Sequence, residues 1–355
     1  MVERISTASR YAQLVADMKI NEFNFNKLTA QLSSGKKLTS ITDDPIASVN
    51  YVNTTRQLGR IESYEQNVNT ALSELNALDD FMELARGYLQ TAWDKAVQAN
   101  SQTYGNDSLE AIKTEIDEIT KTMVDLANSE YDDNYIFAGA NTKLIPYEID
   151  ENGYVNYKGT PQDNPDYVRQ TEVADGVFEV VNTTGDKVFG YFIQEDVTRD
   201  GNGDIVTKNP DDNKYYYEDG TLYTGDGSDL TTTAEDKAEG VFGALRQLSN
   251  SIQKVLDGDT VNGYKEMNET LDMFANAHND ILNQQTKFGG IYNRMEMTSS
   301  TLETTNENLT SYITELNSID YATAITQWMS AQYAYQASLQ VAAGSMNLSL
   351  LNYIS

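Results

Sequence analysis

The 355 residues include no cysteine and only one histidine, His278. The first absence excludes disulfides, thiol nucleophiles and thiolate metal sites, and a lone imidazole cannot build a zinc site without partners. His278 therefore reads as a surface or interface residue of the helical segment Met273 to Leu282. Basic residues are scarce too: 25 Lys and Arg stand against 54 Asp and Glu, for a net charge of -29. Such a surface disfavours nucleic acid and anionic membranes, both of which demand positive charge. Met1 to Gln13 carry Glu3, Arg4 and Arg10 and no apolar stretch, so no cleavable Sec-type signal is expected.

Charge is missing altogether from the last 35 residues, Tyr321 to Ser355. A solvated helix face is normally dressed with charged side chains, so this tail is expected to be covered. Ile325, Trp328, Tyr335, Leu339, Ala342 and Met346 follow alternating three- and four-residue steps, interrupted by Gln332, as on a coiled-coil seam. Gln327, Gln332, Gln336, Gln340 and Asn347 break any run of about 20 apolar residues, so membrane insertion is not expected. Burying one face of the tail gains less than ordering its backbone costs. The expected cover is partner subunits on several sides.

Proline and glycine are unevenly placed. Four of the five prolines and thirteen of the 22 glycines fall between Ala138 and Gly243, which leaves the flanks free to form long helices. Leu14, Met18, Phe25, Leu28 and Leu32, with Tyr11 before them and Asn21 as the polar exception, mark a first helical seam. Ile61, Tyr64, Val68, Ala71, Leu75, Leu78, Met82, Ala85, Leu89, Ala92 and Ala96 mark a second. That helix opens at Asp44-Pro45, an N-cap with proline at the first helical position. Asp107 and Glu110 resemble a capping box that opens a third helix, with Leu109, Ile112, Ile116, Ile119, Met123 and Leu126 on its seam. Phe288, Ile291, Met295, Leu302, Leu309, Tyr312 and Leu316 form a matching stripe on a helix from about Asn262 to Ser318. These stripes need each other, which brings the two chain ends together.

The middle changes in kind. Tyr147 to Ile149 and Tyr154 to Tyr157 flank Asn152-Gly153, and Tyr215 to Tyr217 and Thr221 to Tyr223 flank Asp219-Gly220, both hairpin signals. Val177 to Val181 and Val188 to Ile193 flank Thr183 to Asp186 in the same way. The expected fold is α+β: a long antiparallel helical bundle or coiled coil from both chain ends, with an all-β inserted domain. The expected segments are an N-terminal assembly helix and loop (1–44), a helical core (45–140 and 234–318), a β-rich outward insert (141–233) and a C-terminal assembly helix (319–355). Removing about Ile145 to Thr232 is expected to spare the helical core.

Candidate chemistry is thin. Asp200, Asn202 and Asp204 alternate as in a calcium loop, but Ile205 stands where the sharp turn needs glycine and Asp211 where a bidentate Glu belongs. A glycine-rich surface turn is the stronger reading. The acidic pairs Asp43-Asp44, Asp79-Asp80, Asp132-Asp133 and Asp211-Asp212 have no His, Cys or phosphate loop beside them, and helix caps and solvated faces account for them. Gly35-Lys36-Lys37 lacks the upstream glycine of a phosphate loop. No catalytic residue and no cofactor is expected.

Several segments together resemble the bacterial flagellins and flagellar hook-associated proteins. They are Arg4-Ile5-Ser6-Thr7, Gln31-Leu32-Ser33-Ser34-Gly35-Lys36-Lys37, Thr42-Asp43-Asp44-Pro45, Tyr135-Ile136-Phe137-Ala138-Gly139, Ala337-Ser338-Leu339-Gln340-Val341 and Ser349-Leu350-Leu351-Asn352-Tyr353. The resemblance covers about residues 1 to 140 and 240 to 355, and Asp44-Pro45 with the Asn-Tyr ending favours the hook–filament junction members over filament subunits. It implies a non-enzymatic structural adaptor that joins the hook, through hook-associated protein 1, to the flagellin filament. It also implies copies of the chain in a ring, export through the flagellar type III apparatus without signal cleavage, an export chaperone on the C-terminal region and an extracellular location. Self-assembly is then expected through Leu14, Met18, Phe25, Leu28, Leu32, Ile325, Trp328, Tyr335, Leu339 and Met346. A minor filament flagellin is the alternative within the family. Outside it stands a carbohydrate-binding or hydrolytic secreted protein, with Tyr215, Tyr216, Tyr217 and Tyr223 as stacking surfaces, though tyrosine is also simply a good strand former.

Overall fold

Asp44 and Pro45 start a helix as their chemistry requires. The Asp44 side-chain Oδ1 accepts the Ala47 amide at 3.0 Å, and its carbonyl accepts the Ser48 amide at 2.8 Å. The computed structural model describes residues 7–159, 168–200, 202, 204–208, 215–217, 223–224 and 230–354. In chain order these form α1 (Thr7–Ser34), α2 (Pro45–Asn100), α3 (Asn106–Ala127), β1 (Glu130–Tyr131), β2 (Asn134–Tyr135), β3 (Tyr147–Ile149), β4 (Val155–Tyr157), β5 (Gln170–Ala174), β6 (Val177–Val180) and α4 (Gly185–Val188). There follow β7 (Tyr191–Arg199), β8 (Val206–Lys208), β9 (Tyr215–Tyr217), β10 (Thr231–Glu239), α5 (Gly240–Leu256), α6 (Thr260–Asn317) and α7 (Tyr321–Ile354). The fold is α+β. Two compact units divide it: Met1–Glu65 with Ser300–Ser355, and Gln66–Ser299.

In the Gln66–Ser299 unit the α2 seam is the core. Val68, Leu78, Met82, Ala85, Leu89, Ala92 and Ala96 are fully buried, and Phe288, Ile291 and Met295 of α6 are buried with them. The two helices run antiparallel. Gln285 takes a hydrogen bond from Arg86 at 2.9 Å and gives one to Asp79 at 3.0 Å, while Asn100 reaches Asn268. On α3, Leu109, Ile112, Ile116, Ile119 and Met123 are buried as expected, joined by Val124 and Ala127, while Leu126 is half-buried. The capping box is not formed: the α3 N-cap is Gly105, without a side-chain cap. Asp107 lies one residue inside the helix, where its charge favours the amino-terminal dipole.

The strands form a four-stranded sheet in the order β10-β7-β4-β3 and three two-stranded pieces. The β3–β4 hairpin pairs Tyr147 with Tyr157 around the expected Asn152-Gly153 turn. The hairpin expected across Thr183 to Asp186 does not exist, because β6 turns back on β5 and residues 185 to 188 make the single helical turn α4. One short helical turn thus sits among the strands of the insert. β9 pairs with β8, and the expected partner strand at Thr221 to Tyr223 lies largely outside the described residues. The insert is also tied into the helices. Phe137, Tyr147, Phe189 and Phe242 bury their rings together, with centroids 4.9 Å apart for Phe137–Phe189 and 5.0 Å for Tyr147–Phe242. Removing residues 145 to 232 would strip Tyr147 and Phe189 from that cluster, contrary to the expectation that the helical core is spared.

Candidate assembly interface

Sequence forces a turn after α1. Gly35 has φ +67°, a left-handed conformation that glycine tolerates, and a Cβ there would come 2.7 Å from the Tyr321 hydroxyl. The chain then folds back on the α6–α7 junction. Lys37 donates its amide to the Asn317 carbonyl at 2.7 Å, Leu38 donates to the Asn317 side chain at 2.8 Å, and Ile319 donates to the Gly35 carbonyl at 3.3 Å. Asp320 begins α7 by accepting the Ala322 amide at 3.0 Å and the Thr323 hydroxyl at 2.7 Å.

Asp43 is the hub of this loop. Its carboxylate takes Lys27 Nζ at 2.9 Å, the Thr39 hydroxyl at 2.8 Å, and the Thr39 and Ser40 amides at 3.0 Å each. The Lys27 hydrogen bond, aided by these donors, holds the Asp43 carboxyl well below the usual carboxylate range. The loop thus gives the Ser-Ser-Gly-Lys and Asp-Asp-Pro segments a physical reason for their composition.

Along the helices, α1 packs on α7. Phe25 stacks on Tyr335 with centroids 5.9 Å apart and lies 5.7 Å from the Trp328 ring. The Trp328 indole donates to the Thr29 hydroxyl at 2.8 Å, and that hydroxyl donates to the Phe25 carbonyl at 2.8 Å. Leu14, Met18, Phe25, Leu28 and Leu32 are half-buried, as are Trp328 and Tyr335. Ile325 and Leu339 are not: they remain 47% and 43% exposed. The covered α7 residues are Ala324, Trp328, Ala331, Gln332, Tyr335, Ser338 and Ala342, a stripe that shares Trp328, Tyr335 and Ala342 with the expected seam, and Gln332 with its polar interruption. The Met346 side chain lies outside the described residues. Ile20, Phe23, Met329, Tyr333 and Val341 are exposed on the same two helices.

The Asp200 and Asp132-Asp133 candidates shape their own turns, and Asp211-Asp212 lie outside the described residues. Asp200 accepts the Asn202 and Asp204 amides at 2.9 Å each and the Tyr217 hydroxyl at 2.9 Å, so its carboxylate organises its own turn. Asp132 and Asp133 both take left-handed φ and form the β1–β2 turn, a role the sequence reading did not assign. Among the described residues no group of three His, Cys, Asp or Glu could hold a metal ion. Among them, too, no helix is long and apolar enough to cross a membrane.

Residues 5–142 match the bacterial flagellin N-terminal helical region, and residues 271–354 match the bacterial flagellin C-terminal helical region. Over 349 residues the chain is 22% identical to flagellar hook-associated protein 3 of Escherichia coli (strain K12), covering 98% of each. Its fold is similar to that of hook-associated protein 3 from Legionella pneumophila, with a TM-score of 0.54 at 18% identity over 74% of this chain and 98% of that one. The crystal structure of the flagellar junction protein FlgL from Legionella pneumophila gives a TM-score of 0.51 at 17% identity, over 77% of this chain and 100% of that one. With both helical regions matched over well more than half its length, the chain belongs to the bacterial flagellin family.

Proposed function

We propose that this protein is a structural subunit joining the flagellar hook, through hook-associated protein 1, to the flagellin filament. One observation carries the reading: α7 has no charged residue, meets α1 along one stripe, and leaves Ile325, Met329, Tyr333, Leu339 and Val341 exposed. Large apolar side chains left exposed on a helix without charge mark a protein interface. The names of the relatives, hook-associated protein 3 and flagellar junction protein, point to which interface. On this reading residues 1–44 and 319–355 are the assembly segments and 141–233 the outward insert. Copies associate in a ring after export by the flagellar type III apparatus, with a chaperone on the C-terminal region beforehand.

Imaging labelled protein on intact flagella tests this. A single band at the base of the filament is the expected result. Label along the filament length would instead make the protein a minor flagellin, and unlabelled flagella at normal secretion would overturn both readings.

A further inference from the structure

Near its start, in the unit of Met1–Glu65 with Ser300–Ser355, α2 presents two faces of different fate. Ala47, Ser48, Tyr51, Thr54 and Leu58 lie on the face that the chain itself covers. On the opposite face Ile46 is 77% exposed, Val49 56% and Val52 47%, and Arg56 continues that face one turn further, exposed as well. β-Branched residues give up side-chain freedom in a helix, and here they gain no burial in exchange. Such a face is suited to being covered from outside.

Charge in this unit is sorted by element. From Pro45 to Ile61 the only charged residues are Arg56 and Arg60, whereas from Met295 to Ser355 Glu and Asp occur without one Lys or Arg. On α6 the exposed Glu303 and Glu307 share a face with the exposed Thr310 and Thr314. The Thr314 hydroxyl donates to the Thr310 carbonyl at 2.8 Å and the Thr310 hydroxyl to the Asn306 side chain at 3.3 Å. Covering these threonines with aliphatic side chains therefore leaves no hydroxyl unpaired. Among the described residues Arg56, Glu303 and Glu307 take part in no ion pair.

We infer that the Ile46, Val49, Val52 and Arg56 face of one copy packs antiparallel on the Thr314, Thr310, Glu307 and Glu303 face of the next, with Arg56 on Glu307 and Val49 on Thr314. The occupant is a second copy of this chain, because the acid-free stretch and the base-free stretch complement each other and a net charge of -29 otherwise drives copies apart. The same copy cannot close the contact. Asn306 donates to Glu65 at 2.9 Å and so sets which residues stand level on the two antiparallel helices; on that register Arg56 and Glu307 lie about 12 Å apart along the axis. Two different patches on one subunit give a head-to-tail contact, which propagates around a ring or along a helix, whereas a single self-complementary patch would stop at a dimer. The inference rests on the proposed assembly of copies and adds the side chains that meet.

A charge swap in the full chain tests the contact. Arg56→Glu and Glu307→Arg should each lower incorporation into flagella about tenfold or more, since each sets like charges against one another. The double variant Arg56→Glu/Glu307→Arg restores an opposite pair at every contact and should recover most of the loss, which misfolding could not do. Both side chains are exposed, so the purified single variants should melt as the wild type does. With no native cysteine as background, Val49→Cys/Thr314→Cys oxidised on isolated flagella and as concentrated purified protein should give a ladder of linked multimers, and neither single cysteine more than background dimer. Wild-type incorporation of either charge variant, no recovery in the double variant, or efficient dimers from one cysteine alone would overturn the inference. If Arg56→Glu incorporates normally in a single band at the filament base, the contact fails and the adaptor reading stands; a double-cysteine ladder from purified protein, with flagella unlabelled at normal secretion, has the opposite meaning.

Discussion

Lys27 and Asp43 meet at 2.9 Å across the turn that ends α1, binding the helix to the loop that leads into α2. Lys27 comes from the helix, Asp43 from the loop, and the same carboxylate collects the Thr39 and Ser40 amides. One acidic side chain thus fixes the path of the chain between its first two helices.

The pH dependence of this loop follows from the Asp43 carboxyl. Its proton affinity is held well below the usual carboxylate range, chiefly by Lys27. A folded-state value depressed in this way stabilises the fold fully above the unfolded value, about pH 4, and the contribution fades as pH falls below it. Hydrogen exchange at Thr39 and Ser40, corrected for intrinsic rate, should show constant protection from neutral pH to about pH 4 and a loss in stronger acid. Asp43→Asn should cost about 1–3 kcal/mol of local protection at neutral pH and flatten the acid dependence. A wild-type profile unchanged down to about pH 2 would contradict the assignment.

Gly35→Ala should loosen the same junction. The substitution meets both the left-handed backbone and the Tyr321 hydroxyl, for a cost of about 1–3 kcal/mol. Adding Tyr321→Phe removes the close contact but not the backbone strain, so it should recover part of the loss. Full recovery would mean that the backbone conformation costs nothing. The exchange rate of the Ile319 amide, which donates to the Gly35 carbonyl, reports the effect.

Trp328→Asp and Leu339→Asp should fail differently. The first removes the indole that bonds Thr29 and packs on Phe25, and so separates α1 from α7. The second places a charge on an exposed position and should leave the helix pair intact while blocking incorporation into flagella, where burying an unpaired charge costs several kcal/mol. Proteolysis of the purified variants and electron microscopy of secreting cells measure the two effects. Normal junctions with Leu339→Asp would show that this face meets solvent.

A shorter excision of the insert should be tolerated where the larger one is not. Arg199 and Thr231 are directly paired partners at the ends of β7 and β10. Joining them by a short Asn-Gly turn in place of residues 200–230 closes a hairpin and leaves Tyr147, Phe189 and Phe242 covered. The melting temperature should change by only a few degrees. Replacing 145–232 instead should destabilise the protein by about 3–5 kcal/mol, as loss of large buried aromatics does. Equal stability of the two deletions would refute a shared aromatic core.

The long seams were legible because their burial is decided by one period. Val68 to Ala96 repeat at three and four residues without exception, and those positions are buried. On α7 the same rule admits two stripes side by side. Hydrophobicity selects Ile325 and Leu339, whereas packing against α1 covers Ala324, Ala331 and Ser338, small residues on the same stripe as Trp328 and Tyr335. The Lys27–Asp43 pair and the Asn317 contacts escaped notice because they follow no period and join segments distant in sequence. The single turn α4 was too short to carry a pattern at all.

The indole bonded to Thr29 also gives the molecule a built-in optical probe. The chain contains two tryptophans, Trp93 in the Gln66–Ser299 unit and Trp328 in the other. Replacing Trp93 with phenylalanine would leave an emission that senses the α1–α7 pair alone, so that separation of the terminal helices, their capture by a partner and their burial on assembly could each be followed in real time without any added dye.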